Sequence, residues 1–203
     1  MSQIKKEGYV KAPVNLHNDP YVDQLNSLFE ALHEHDDRSL ILTISAFAED
    51  TLELLLLNYL REPKQAKELV NGFNAPLGTF SSRIKAAFVL GLMQEDDYKT
   101  LQLLRKIRNK FAHNWDGVSL DREDIASLVN EFSLSFKQKY LTDEEHTQEL
   151  SARERIVEKS SDVLINLRML AKELDRNSIK APLLAGERTP VKVNFVEVDE
   201  FTD

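Results

Sequence analysis

Residues 40–60, LILTISAFAEDTLELLLLNYL, constrain the fold of this chain more than any other segment. The run has the length of a membrane span, which takes about 20 apolar residues. Glu49, Asp50 and Glu53 lie in its middle, however, and each carboxylate would be costly in hydrocarbon. The segment therefore reads as a helix buried in a protein core. A helix apolar on most of its faces needs other helices or a sheet around it.

Composition selects helices. The 203 residues include 6 Gly and 6 Pro, about half the ordinary combined share of ~12%. A chain so poor in turn-formers makes few tight turns, so many short strands are disfavoured and long helices are favoured. No Cys is present. That removes disulfides, thiolate nucleophiles and Cys-based zinc sites together. The N-terminal residues lack an apolar run of signal-peptide length, and the expected location is the cytoplasm. The formal net charge of −8 argues against coating DNA through a broad basic surface.

The expected organisation is an arm over 1–19, a helical domain over 20–176 and a tail over 177–203. Pro20 suits a first helical turn capped by Asp19, and Val22, Leu25, Leu28, Phe29 and Leu32 follow at helical spacing. The polar residues 33–38 break this helix from the apolar one, which runs to about residue 61. Pro63 either stops it or opens a short third helix. Asn71-Gly72 and Pro76-Leu77-Gly78 mark a loop. A further helix is predicted from 79 or 81 to 92, with Gly91 near its end. The next begins in the acidic residues 94–97 and carries a stripe of Tyr98, Leu101, Leu104, Ile107 and Phe111. Asp121 is the expected cap of a following helix, and 142–176 reads as one long charged helix. The final VKVNFVEV alternates and could add a strand to a partner, or be a plain tail.

One segment gathers chemistry. LLRKIRNKFAHN, over 103–114, places Arg105, Lys106, Arg108, Lys110 and His113 together in an otherwise acidic chain. Arg105, Asn109 and His113 are successive i, i+4 neighbours on an ideal helix. Arg108 and His113 are five apart, roughly 140° around the axis. They converge only if the helix end distorts or a second subunit supplies one of them. Such a pair could cleave RNA without metal: His takes or gives the proton, and Arg stabilises the developing phosphate charge. A basic cluster at a helix C-terminus is equally what the macrodipole favours.

Other signals are weaker. His33 and His35 are i, i+2 and fall on opposite helix sides with no third ligand adjacent, so no metal is expected. Pro76-Leu77-Gly78-Thr79 lacks the phosphate-loop pattern and reads as a turn with a helix cap. No cofactor motif is present. Arg83 and Lys85, just inside the helix after this loop, could help bind an acidic partner. Trp115 is the only Trp, suited to packing or to stacking a base.

Arg108-Asn109-Lys110-Phe111-Ala112-His113 resembles the R-N-x-x-x-H form of the motif of HEPN domains. Together with PLGTFSSRIK over 76–85 and the LGLM helix end over 90–93, in that order, it resembles the MltR family, named after the mannitol operon repressor. The resemblance covers about 40–136. It implies an all-α bundle of about six to seven helices with no DNA-reading motif, and regulation through protein contacts. HEPN relatives also include metal-independent ribonucleases, often with sites at dimer interfaces. For that activity the resemblance implies Arg108 and His113 as the catalytic pair and Asn109 as a supporting hydrogen bonder. It also implies a polar residue on a preceding helix facing the motif, Glu49 or Asp50.

The expected function is thus an MltR-like transcriptional regulator acting through a protein partner, with direct DNA binding disfavoured. The alternative is a metal-independent ribonuclease of toxin or defence type. The Leu-rich helices and the motif geometry also lead us to expect a homodimer. Arg105, Lys106, Lys110, Arg83, Lys85 and Trp115 are the candidate contacts to a partner or to RNA.

Overall fold

Local signals in the sequence set most of the helix boundaries. The structure, a computed structural model, describes residues 19–34, 36–114, 116–136 and 150–183. Helix α1 spans Pro20–Glu34. The Asp19 carboxylate accepts from the Tyr21 N–H at 3.0 Å, as the cap reading requires. Helix α2, Asp37–Tyr59, starts where Asp36 accepts from Ser39 N–H. Pro63 opens the short α3, Pro63–Asn71, rather than only stopping α2. Its preceding residue, Glu62, sits in the left-handed region at φ 54°, which breaks the helical path between the two.

Helix α4, Phe80–Val89, begins with a reciprocal capping box between Thr79 and Ser82. Past its end Gly91 takes φ +72°, a conformation that glycine adopts without strain. Helix α5, Glu95–His113, carries Glu95, Asp96 and Asp97 in its first turn and Lys110 and His113 in its last. Both ends complement the helix dipole. Helix α6 spans Glu123–Asn130. Its cap residue is Arg122, which makes no side-chain cap bond, so Asp121 is not the cap. Helix α7 spans Ala152–Arg176. It starts ten residues later than the expected 142, because the Ser151–Glu154 capping box sets its first turn. Residues 142–149 lie outside the described residues.

All seven helices pack without any strand among the described residues, so the architecture is an all-α bundle. Helix α2 is its axis. Leu40, Ile41, Ile44, Ala48, Leu52, Leu55 and Leu56 are at most 1% exposed. They meet α1, α3, α4, α5 and α7, with α7 as the most extensive neighbour. Thus the apolar run resembles a membrane span in composition because five helices surround it. No helix among the described residues is long and apolar enough to cross a membrane.

The chain after α7 returns to the end of α2. Ala181 N–H donates to the Tyr59 carbonyl at 2.8 Å, and Lys180 Nζ donates to the Asn58 carbonyl at 2.6 Å. A cation and an amide thereby serve the otherwise unpaired carbonyls of the α2 C-terminus. VKVNFVEV lies outside the described residues, as do residues 1–18 of the expected arm over 1–19.

Candidate functional site

The second half of α5 presents the basic island. Leu101, Leu104, Ile107 and Phe111 are at most 1% exposed and anchor one face against the core. The same periodicity leaves Arg105, Arg108, Asn109 and Lys110 half-buried and Lys106 and His113 exposed. Arg108 reaches α2: its Nη2 lies 3.5 Å from Glu49 Oε1. Its Nη1 donates to Asn109 Oδ1 at 3.3 Å. Of the two acidic candidates on α2, Glu49 therefore faces the motif. Asp50, one residue and about 100° further round the helix, faces α7 instead.

Three cations of the island are already engaged. Arg105 Nε donates to Gln102 Oε1 at 3.1 Å. Arg108 holds Glu49 and Asn109. Lys110 Nζ lies 2.5 Å from Asp124 Oδ2 on α6. Arg122 grips the same carboxylate through Nε at 2.6 Å and Nη2 at 3.0 Å. The α5 terminus itself is closed by Arg38, whose guanidinium donates to the Asn114 carbonyl. Asn114 Nδ2 turns back to the Lys110 carbonyl at 2.7 Å. The side chain of His113, the last helical residue, makes no hydrogen bond or ion pair among the described residues. Trp115 lies outside them.

Arg83 departs from the expectation that it faces a partner. It is 8% exposed. Its Nε donates to the Leu77 carbonyl at 3.1 Å and its Nη1 to the Glu49 carbonyl at 3.1 Å. Its Nη2 donates to the Val70 carbonyl and to Asn71 Oδ1, both at 3.2 Å, and lies 3.0 Å from Glu53. The side chain ties α2, the end of α3 and the 76–78 loop together, and is not part of the α5 surface. Lys85, on α4, is exposed as expected.

The local electrostatics give a pH prediction. Hydrogen bonds from Arg122 first, and then from Lys110, hold the Asp124 carboxyl well below its ordinary value of 3.8. The folded state thus releases this proton more readily than the unfolded chain. The stability that Asp124 contributes is full above 3.8 and is lost as pH falls below it through the lowered folded value. Acid unfolding of Asp124→Asn, followed by circular dichroism, should show a shallower loss of stability below that point than the parent. An unchanged acid limb would contradict the linkage.

Sequence reasoning missed Arg38, Asp124 and the pairing of the buried Arg168 with the exposed Asp50. Arg38 and Asp124 lie in first helical turns, where no periodicity marks a partner. Arg168 did leave a signal: it falls within the α7 stripe of Leu164, Leu167 and Ala171, where an apolar residue is expected.

The fold and this site define an all-α bundle protein with an Arg-Asn-His helix terminus buttressed by a carboxylate of the central helix. No family model and no curated protein matches the chain. A chain of the X-ray structure of the MtlR–HPr complex from Escherichia coli is similar over 74% of this chain and 98% of its own length, with 18% sequence identity and a TM-score of 0.48.

Proposed function

We propose that this chain is an MltR-like regulatory protein that acts through contact with a protein partner rather than by reading DNA. The carrying observation is the state of the basic island. Arg108 and Lys110 are ion-paired with Glu49 and Asp124 within the fold, and Arg105 is held by the neutral Gln102, so two of the island's cations are already matched by carboxylates rather than left for phosphates. Among the candidate contact residues Lys106 and Lys85 stay exposed, and the net charge of −8 argues against a broad basic surface for nucleic acid. Affinity purification from the native host after nuclease treatment tests the reading. A stoichiometric protein partner, with altered transcript levels on gene deletion, is the expected result. A gel shift on DNA with a steep salt dependence would refute it.

A second reading is favoured by one observation: the His113 side chain is exposed and unpaired among the described residues, available as a general base on the same helix terminus as Arg108. In that reading the protein is a metal-independent endoribonuclease with Arg108 and His113 as the catalytic pair and Asn109 in support. It predicts cutting of single-stranded RNA in EDTA that His113→Ala abolishes. No cleavage by the parent over a range of RNAs removes it.

Both readings invite a second copy, since the two motif residues point apart on one helix. Light scattering at micromolar concentration should give twice the 23.3 kDa chain mass; a single-chain mass would contradict the dimer.

A further inference from the structure

Two arginines are buried among the described residues, and they are treated differently. Arg83 spends its donors on five acceptors, as described above. Arg168, on α7, is 1% exposed. Its guanidinium lies 4.6 Å over the Phe47 ring, and Nη2 contacts Asp50 Oδ2 at 2.5 Å. Its buried Nε–H has no acceptor among the described residues. A guanidinium carries five N–H donors. A buried cation with so few acceptors is costly, whereas full satisfaction is the rule in protein interiors.

Part of the Arg168 side chain borders open space. A cavity of about 340 Å³ lies between α1 and α2, lined by Arg168, Asp50, Tyr21, Gln24, Leu54 and Leu57. A second, of about 650 Å³, shares Arg168, Asp50 and Gln24. On α2 the lining residues Phe47, Asp50, Leu54 and Leu57 recur at i, i+3, i+7 and i+10, one continuous face. The smaller cavity falls in the size range of small-molecule sites.

We propose that this cavity binds a free α-amino acid, its carboxylate on the part of the Arg168 guanidinium that borders the cavity and its ammonium on the outer oxygen of Asp50. The chemistry selects a zwitterion. A plain anion would meet Asp50 and Glu53, the second carboxylate on the wall. A plain cation would meet the buried guanidinium. An α-amino acid carries both charges on one carbon, so it requires an anion site and a cation site side by side, as the Arg168–Asp50 contact supplies. Asp50 is suited to the exchange because its side chain is 65% exposed although it holds a buried partner. Glu53 only adds to the negative field, since its oxygens are taken by Arg83 and Asn71. Leu54 and Leu57 give the ligand side chain an apolar wall.

Isothermal titration of the full chain with the standard amino acids, up to about 10 mM, tests the site. At least one should bind, while acetate and methylamine, each carrying one of the two charges, should not. Asp50→Asn should weaken binding about tenfold or more. Gln24→Trp fills the mouth from an exposed position on α1 without touching the ion pair, and should abolish binding. It decides the matter if Asp50→Asn fails to fold. The proposal is overturned if no amino acid binds, if acetate binds as tightly as the amino acid, or if Gln24→Trp leaves binding intact.

Discussion

Arg83→Ala should destabilise the protein by about 3–5 kcal/mol, the range for removing one partner of a buried ionic network. The substitution leaves the Leu77, Val70 and Glu49 carbonyls, Asn71 and Glu53 without their shared donor. Each buried group stripped of its partner keeps its desolvation cost. Arg83→Lys should recover little, because an ammonium cannot reproduce the planar fork that reaches three segments at once. Urea unfolding followed by circular dichroism measures both. A loss below about 1 kcal/mol for Arg83→Ala would place this residue among ordinary surface cations.

Phe111→Ala is the second large effect. Phe111 is fully buried and belongs to the apolar face of α5. Truncating a buried Phe to Ala costs about 3–5 kcal/mol, from lost transfer energy and the cavity left behind. Because Phe111 lies between Arg108 and His113, the same change should loosen the helix end that holds Arg108 against Glu49. Lys106→Ala, on the exposed side of the same helix, should stay within about 0.5 kcal/mol. Equal thermal shifts for the two variants would show that the motif segment is not anchored by its apolar face.

How much of this was legible beforehand follows from where the information is local. The α1 start, the α3 start and the α4 cap are written in Asp19-Pro20, in Pro63 and in the pairing of Thr79 with Ser82 across the first turn. The apolar stripe of α5 is a matter of period, and Leu101, Leu104, Ile107 and Phe111 are buried as that period predicts. The late start of α7 was missed although Ser151 and Glu154 spell a capping box, because charged residues with good helix propensity precede it. The role of Arg83 could not be read from spacing. Its acceptors lie at Glu49, Val70 and Leu77, and only tertiary packing brings those carbonyls to one place. For the same reason the choice between Glu49 and Asp50 was open in the sequence. It is decided by the angle at which α2 crosses α5 and α7.

The pairing of α2 with α7 has a further consequence during synthesis. These helices share the largest contact of the bundle, yet they lie at opposite ends of the helical domain. The intervening stretch is roughly 100 residues, which a ribosome adds in about 5–20 s. Throughout that interval the most apolar segment of the chain has emerged without its main cover. Leu52, Leu55 and Leu56 are then open to any chaperone or neighbouring nascent chain, and Arg168 arrives only as the domain closes. Crowded translation at high temperature is therefore the condition under which this protein is most exposed to aggregation.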